Sequence, residues 1–337
     1  MKIAVVILNW NGKKMLEKYL PSVTAYTTGD AEVVIADNGS TDDSIEFLRT
    51  HYPTLRIVQM DKNYGFAEGY NRALEQIEAD YYVLLNDDVE VTPNWIEPVI
   101  AQMESNRLTA ICQPKLLMDT QRDTFEYAGA AGGFIDNYGY PFCRGRIFNT
   151  LEKDHGQYDD ACEIFWASGA AMFVRAQVWK ELGGLDGDFF AHMEEIDFCW
   201  RAKNMGYNVE YCPQSVVYHL GGGTLPKTNP RKTYLNFRNN LSMLYKNLPL
   251  GYRTYVLTIR WVLDWVAALK FLVGGSKAEW SAVFEAHRDF RKAKSQLKIK
   301  RAAIEQKKVS CVLPDLLLVK YYLGRNKHFS QLDFKKI

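Results

Sequence analysis

Residues 81–91 read YYVLLNDDVEV, a run of aromatic and aliphatic residues that stops at adjacent carboxylates. Apolar runs of this length, rich in Val, Leu and Tyr, are typical of a strand that is covered on both faces. Carboxylates at the carboxyl end of such a strand lie where open α/β sheets bind ligands. Their oxygens suit Mg²⁺ or Mn²⁺, although Asp is also common where a strand simply exits into a loop. The stretch predicts a buried strand with a candidate metal site at its end.

Three aliphatic stretches earlier in the chain predict further strands of the same sheet. They span residues 3–8, 32–36 and 56–60, and each leads through polar residues into a segment with apolar residues at helical spacing. Alternating strands and helices predict an α/β fold with a mostly parallel sheet, covered by helices through right-handed crossovers. The loops after the strands, which include residues 9–12 and 37–39, should rim a ligand crevice.

The pattern becomes irregular between residues 111 and 165, where glycines recur. We interpret this region as loops and short strands laid over the crevice, where an acceptor would bind. A strand at residues 170–174 and a helix at residues 176–182 follow.

A second acidic cluster, Glu194 and Glu195, opens a helix that runs to about Met205. Acids in a first turn are favoured by the helix macrodipole, so a solvated N-terminal turn is the common explanation. The alternative is a catalytic carboxylate, which is the minority case.

His219 ends a short strand at residues 215–219 and is followed by three glycines at residues 221–223. A histidine at a strand end is usually only a satisfied polar residue. Glycines behind it, however, let the backbone approach a ligand closely.

Composition indicates a globular protein with an uneven charge distribution. Of the 337 residues, 47% are hydrophobic and 24% are charged, which suits one large or two modest domains. The formal net charge is +1, but residues 288–308 carry nine Lys or Arg and two acids. We expect no nucleic-acid partner. The six scattered cysteines and the absence of a signal peptide predict a reducing, cytoplasmic location.

Transfer of a sugar from a nucleotide donor would use these pieces together. The diphosphate leaving group gains negative charge, which a divalent cation held by Asp88 and His219 could neutralise. A carboxylate base, Glu194 or Glu195, would activate the acceptor hydroxyl and is worth about 10²–10⁴-fold in rate. Asp37 could accept from a base N–H or a ribose hydroxyl. The chain has no GxxxxGK[ST] loop and no GxGxxG after its first strand, so a P-loop or dinucleotide-binding fold is not expected.

Six short blocks occur in order along the first two thirds of the chain. They are VILNWN from residue 6, ADNGSTD from 36, NYGFAEGYN from 63, LLNDD from 84, GAAMFVR from 169 and GGLD from 183. Together they resemble the signatures of family 2 glycosyltransferases, closest to the rhamnosyltransferase-like and galactofuranosyltransferase-like branch. The resemblance implies a GT-A fold, an inverting single-displacement mechanism and a divalent cation, Mn²⁺ or Mg²⁺.

The resemblance also implies roles for individual residues. Glu195 falls at the position of the catalytic base, and Asp88 with His219 at the metal site. Trp166 and Glu194 lie where acceptor contacts are expected. The implied donor-binding residues are Leu8, Asn9, Asp37, Asn38, Asn63, Gly65, Asn86 and Asp87.

Two positions depart from the family pattern. The metal motif begins with Asn86 instead of an acid, which leaves Asp88 as the ligand expected from this motif. The base position holds Glu where Asp is more usual, so both Glu194 and Glu195 stay open as the base.

The last hundred residues fall outside the resemblance, apart from Arg238-Asn239-Asn240, which resembles a turn of the branch. We predict a catalytic domain at residues 1–225, with a donor half at 1–110 and an acceptor half at 111–225. Residues 226–337 would form a helical C-terminal extension.

Residues 255–273 are mostly apolar but carry Arg260, Asp264 and Lys270 within an arc of about 120°. An amphipathic helix at an anionic membrane surface is therefore favoured over a transmembrane span. Together with the basic segment, residues 255–323 would make the protein peripheral at the inner face of the plasma membrane. The alternative is a helical subdomain that packs on the catalytic body or on a second subunit.

Three functions are open from the sequence. The first is a metal-dependent glycosyltransferase that moves a sugar from a UDP- or dTDP-sugar to a glycan or lipid-linked acceptor in cell-surface polysaccharide synthesis. The second is a nucleotidyltransferase, which expects a Gly-rich, Arg-containing loop after the first strand, unlike residues 9–12. The third is a non-catalytic module that binds a sugar nucleotide or a membrane. A homo-oligomer is compatible with all three.

Overall fold

The first 86 residues of the chain form the strands and helices that their periodicity predicts. The computed structural model describes residues 1–221 and 229–333. The strands are β1 Ile3–Asn9, β2 Ala31–Asp37, β3 Arg56–Gln59 and β4 Tyr81–Asn86, and the helices between them are α1 Lys13–Tyr26, α2 Ser44–His51 and α3 Gly65–Leu74. Alternate side chains of β1 pack into two different hydrophobic cores. Ala4 and Val6 lie in one core, and Val5 and Ile7 lie in the other. The strand is apolar throughout because it is covered on both faces.

Parallel pairing brings the carboxyl ends of these strands together. β1 pairs with β2 up to Asn9↔Asp37, and with β4 up to Leu8↔Asn86. Asn9, Asp37 and Asn86 therefore lie side by side at one edge of the sheet, where the sequence predicts the ligand crevice.

One central strand lies where the sequence pattern looked irregular. The next elements are β5 Val89–Val91, α4 Glu97–Ser105 and β6 Thr109–Met118. β6 is a long strand in the middle of the sheet, so the expectation of loops from residue 111 was wrong here. Polar residues interrupt its apolar run, and their partners come from distant segments. Gln113 accepts the Ser168 N–H at 2.8 Å, and Lys115 pairs with Asp154 at 2.7 Å.

The main sheet is mixed rather than mostly parallel. After β6 the chain forms β7 Gly133–Asp136, β8 Pro141–Cys143, β9 Arg146–Ile147, β10 Thr150–Leu151, β11 Cys162–Glu163, β12 Ala171–Arg175, α5 Ala176–Leu182, α6 Glu194–Asn204 and β13 Asn208–His219. The strand order is β11-β13-β6-β12-β4-β1-β2-β3, with β5 paired to β13. β12 runs antiparallel to both of its neighbours and separates the two parallel parts.

The C-terminal elements contribute to the same core as the sheet. They are α7 Pro230–Asn247, α8 Leu250–Val273, α9 Lys277–Ala302, β14 Val312–Leu313 and α10 Leu317–Tyr322. Leu244 and Leu317 are buried in one cluster with residues of β1 and β4, and β14 pairs with β7 in a second, smaller sheet. The predicted domain boundary after residue 225 lies outside the described residues, and the division into domains stays a prediction.

α8 turns Arg260 and Asp264 of its charged arc toward the protein, whereas Lys270 is exposed. Arg260 and Asp264 are buried and pair at 3.0 Å, and His287 of α9 lies 3.1 Å from Asp264. The expected amphipathic helix is therefore present, and its apolar side faces outward. Within the described ranges, no helix is long and apolar enough to cross a membrane.

Candidate active site

Pairing between β5 and β13 brings the acidic end of β4 to a histidine. β5 begins directly after Asp88, and its first residue, Val89, lies opposite His219. Nε2 of His219 is 3.0 Å from Oδ1 of Asp88. The two residues predicted to hold a cation are thus brought together from distant parts of the chain.

His219 lies between two buried carboxylates. Its Nδ1 is 3.4 Å from Oε1 of Glu126, a residue that the sequence did not single out. Burial lowers the pKa of His219, but Glu126 and Asp88 outweigh this effect and raise the pKa to about 10. Burial likewise pushes the pKa of Asp88 upward, and the imidazolium outweighs it and holds the pKa below its ordinary value. In the absence of a cation, His219 is therefore protonated, and its imidazolium pairs with the Asp88 carboxylate.

A divalent cation fits between Asp88 and His219. Octahedral bonds of about 2.1 Å put neighbouring ligand atoms about 3.0 Å apart, which is also the separation of the two facing atoms here. The described residues contain no cluster of three or more His, Cys, Asp or Glu that could hold an ion. One carboxylate completed by substrate phosphates is a usual way for a protein to bind Mg²⁺. Glu126 would orient His219, since metal-binding histidines generally donate their other N–H to an acceptor such as a carboxylate.

Asp87 faces the loop after β1. A Cβ on Gly12 would lie 2.2 Å from Oδ2 of Asp87 and 2.5 Å from Oδ1 of Asn9, so only glycine fits there without movement. Burial, and then the charge of Asp88, raise the pKa of Asp87 to about 7. Oδ1 of Asn9 is buried and has no hydrogen-bond partner. Both groups are acceptors that a sugar or ribose hydroxyl would satisfy.

Asp37 is fully buried beneath this rim. Its Oδ1 accepts from Nδ2 of Asn9, and its Oδ2 accepts from the Ser40 N–H, both at 3.1 Å. Both oxygens are therefore engaged within the protein, and contact with a nucleotide base would require these bonds to exchange. The predicted role of Asp37 in donor recognition stays a prediction.

Asn38 joins the end of β2 to the start of α3. Its Nδ2 donates to the Gly65 carbonyl at 2.9 Å, and its Oδ1 accepts from the Tyr64 N–H at 3.0 Å. Oδ1 of Asn63 accepts from the Gly65 N–H at 2.7 Å. Gly65 has φ +80°, and a Cβ there would lie 2.7 Å from the Phe190 carbonyl oxygen. These predicted donor-binding residues thus shape the loops on which the acidic helix rests.

Glu194 and Glu195 begin α6 directly after a strained turn. Phe190, His192 and Met193 have φ values of 64°, 70° and 72°. This left-handed conformation costs about 1–3 kcal/mol for a residue other than glycine. Such strain persists only where surrounding contacts impose it.

Asn239 of α7 supplies these contacts. Its Nδ2 lies 3.0 Å from the Phe189 carbonyl oxygen, 2.9 Å from that of Ala191 and 2.7 Å from that of His192. Arg238 adds a bond to the Phe189 carbonyl at 3.1 Å. The C-terminal extension therefore holds the turn that presents the acidic pair, and the sequence offered only the Arg238-Asn239-Asn240 turn as a signal.

Glu195 has properties expected of a general base. The residue is half-buried, and its Oε2 is buried without a hydrogen-bond partner, as is Oε2 of Glu194. Its Cβ lies 4.0 Å from the position of a Cβ on Gly169, and the neighbouring Ala170 carbonyl accepts the Asn86 N–H at 3.0 Å. Burial raises the pKa of Glu195 to about 7, which suits proton abstraction near neutral pH.

The two residues predicted to contact the acceptor are both buried. Glu194 is 4% exposed, and burial together with the Glu195 charge raises its pKa well above the ordinary value. Trp166 is 3% exposed, and its indole N–H donates to the Phe134 carbonyl at 2.9 Å. The geometry gives neither residue a surface for an acceptor, so these roles stay predictions. Of the acidic pair, Glu195 is the more accessible.

Solved structures show which fold the chain has. GalNAc-T7, solved with UDP, GalNAc and Mn²⁺, aligns with a TM-score of 0.60 at 16% identity, over 76% of this chain and about half (49%) of that one. Staphylococcus aureus TarS 1–349, solved with UDP-GlcNAc, aligns with a TM-score of 0.58 at 15% identity, over 90% of this chain and 88% of that one. The chain has the GT-A fold of glycosyltransferases, as expected.

The family follows from sequence comparison. Residues 4–169 match the sequence model of glycosyl transferase family 2. N-acetylglucosaminyl-diphospho-decaprenol L-rhamnosyltransferase of Mycobacterium tuberculosis is 24% identical over 233 residues, which cover 64% of this chain and 75% of that protein. These matches support a family 2 glycosyltransferase of the rhamnosyltransferase-like branch. They favour glycosyl transfer over the nucleotidyltransferase and non-catalytic hypotheses.

Proposed function

We propose that the protein is a metal-dependent, inverting glycosyltransferase that uses a UDP- or dTDP-sugar. Its acceptor would be a hydroxyl of a glycan or a lipid-linked sugar in cell-surface polysaccharide synthesis. The mycobacterial relative, named for a diphospho-decaprenol substrate, supports a lipid-linked acceptor. The observation that carries the proposal is Glu195, a half-buried carboxylate with an unpartnered oxygen at the start of α6.

In the proposed reaction, Glu195 takes the proton of the acceptor hydroxyl. The acceptor oxygen forms its bond to the anomeric carbon while the bond from that carbon to the nucleoside diphosphate breaks on the opposite face, so the configuration inverts. Asp88 and His219 would hold Mn²⁺ or Mg²⁺, which supplies positive charge for the leaving diphosphate. Asp87 accepts from a donor hydroxyl, and Glu126 keeps the imidazole of His219 oriented.

We also propose that the enzyme works in the cytoplasm at the inner face of the plasma membrane, where a lipid-linked acceptor would be available. All six cysteines are free thiols, which fits a reducing compartment.

A donor screen followed by two matched substitutions tests the proposal. Thermal stabilisation by a panel of UDP-, dTDP- and GDP-sugars with Mn²⁺ identifies the donor. Glu195→Gln removes the base while preserving its size, so kcat should fall by about 10²–10⁴-fold with donor binding unchanged. Glu194→Gln is the control and should keep most of the activity. Normal turnover by Glu195→Gln would overturn the base assignment, and activity in excess chelator would overturn the metal role.

A further inference from the structure

α8 carries an apolar stripe on its outer side. Tyr255, Val262, Val266, Leu269 and Val273 are between 51% and 82% exposed. Their spacing puts them on one face of the helix, over a length of about 27 Å. A helix on the surface of a water-soluble protein normally places such a stripe against the core.

The opposite face of α8 makes the arrangement more unusual. There, Arg260 and Asp264 are enclosed with His287 of α9, and the His287 ring stacks on Trp265 with 5.8 Å between centroids. Burying such charged groups is costly even when they are paired. α8 thus hides polar groups and exposes apolar ones, which is the distribution expected where the outer side meets an apolar medium instead of water.

Aromatic rings extend the exposed face from α8 onto α9. The Trp261 and Trp265 rings are 6.3 Å apart, Trp265 and Phe284 6.1 Å, and Phe284 and Trp280 6.5 Å. Trp261, Phe284 and Trp280 are themselves exposed. Tryptophan is enriched where a protein meets the boundary between lipid and water, because its ring is apolar and its N–H is polar.

The fully exposed charged side chains beside this face are cations. On α8 this is Lys270, whereas Arg253 lies on the other side of the helix and stacks on Tyr245 of α7. On α9, the turns that follow Phe284 carry Arg288, Arg291 and Lys292, all exposed. The acids of this stretch, Glu279, Glu285 and Asp289, are half-buried, and Asp289 pairs with Arg288 and Lys292. A second copy of the chain would bring the same cations against one another, whereas an anionic lipid surface complements them.

We infer that the outer face of α8 and the start of α9 form a docking surface for an anionic lipid bilayer, with α8 lying in the plane of the headgroups. This face comprises Tyr255, Val262, Val266, Leu269, Val273, Trp261, Trp280 and Phe284. The inference rests on the proposed function only for the identity of the membrane. The docking surface uses no residue of the active site.

Vesicle sedimentation with the full chain tests the inference. The probes are vesicles of phosphatidylcholine alone and of phosphatidylcholine with about one third phosphatidylglycerol. The wild-type protein should bind the anionic vesicles and should bind less as salt is raised. Val262→Glu/Val266→Glu should weaken this binding by at least about tenfold, since carboxylates resist entry into an apolar layer. Leu108→Glu, at a leucine that is 55% exposed before β6, is the matched control and should bind normally.

Two further measurements separate this inference from its alternatives. Glu195→Gln should bind vesicles like the wild-type protein while losing transfer, so a failed catalytic proposal leaves the docking surface standing. The inference is overturned if the wild-type protein does not bind anionic vesicles, or if Val262→Glu/Val266→Glu binds them normally. A wild-type dimer that the double variant dissociates, without any vesicle binding, would assign the face to a second copy and overturn it as well.

Discussion

At the scale of single residues, the site depends on how burial and neighbouring charges set the pKa values of its acids. Asp88 is held ionised by His219, whereas Asp87 and Glu195 have pKa values raised to about 7. Carboxyl groups whose environments push their pKa values apart are suited to different tasks. Here the ionised Asp88 lies at the predicted metal site, and Glu195, whose pKa is raised, is available for proton transfer.

The raised pKa of Glu195 predicts the acid limb of the pH profile. The base works in its deprotonated form, so kcat/KM should level off above about pH 7 and fall by about tenfold per pH unit below it. The profile should be measured at saturating Mn²⁺, because a nearby cation lowers the pKa of Asp87. An acid limb near pH 4.5, the ordinary range of Glu, would contradict a buried base.

Glu126 should matter for metal binding although it lies beyond the predicted ligands. Glu126→Gln removes the carboxylate beside Nδ1 of His219, and losses of this kind typically cost about 10–100-fold in metal affinity or activity. Calorimetric titration of Mn²⁺ in the presence of UDP measures the change. Glu90→Gln, at an acid paired with Arg122 on the surface, is the control. Equal Mn²⁺ affinity in all three proteins would remove Glu126 from the site.

At the scale of elements, the start of α6 is positioned by α7 and not by its own sequence. A helix whose preceding turn has three left-handed residues needs external support. Asn239 provides it through three carbonyl groups of that turn. Asn239 is thus a positioning residue for Glu195.

Asn239→Ala should therefore lower kcat more than it changes the donor KM. Small displacements of a catalytic group cost up to about 10²-fold in rate, while the sheet edge predicted to bind the donor is untouched. Asn239→Asp should fail similarly, because a carboxylate cannot donate to carbonyl groups. Asn236→Ala, one turn earlier, removes a bond within α7 itself and is the control. A pure loss of melting temperature with normal kcat would indicate a merely structural role.

At the scale of the whole molecule, ion pairs join the C-terminal helices to the body. Lys246 of α7 is 4% exposed, and its Nζ lies 2.5 Å from Asp186 and 2.9 Å from Asp197 of α6. Lys300 of α9 pairs with Asp186 from the other side. The C-terminal helices and the rest of the fold are therefore linked by charge as well as by a shared core.

Lys246→Met should destabilise the whole protein because it leaves two buried carboxylates short of a partner. Breaking a buried pair in this way costs about 3–5 kcal/mol. We expect the lower end of this range, because Asp197 is still paired with Arg201 and Asp186 with Lys300. Urea denaturation measures the free energy of unfolding. Lys153→Met, which breaks the exposed pair with Asp123, should cost about 0–1 kcal/mol. Similar costs for both variants would show that the buried network adds little.

The amino-acid sequence by itself determined the strands and helices of the first 86 residues, the meeting of polar residues at the carboxyl ends of those strands and the resemblance to glycosyltransferase family 2. Local periodicity and short motifs such as LLNDD predict these features, because neither depends on distant residues. Only the tertiary structure decided that β6 is a central strand, that Glu126 faces His219, that Asn239 holds the acidic turn and that α8 faces outward with its apolar side. In each case the deciding partner is far away in the chain. Periodicity shows which residues share a face, but which face is buried depends on what the rest of the fold packs against it.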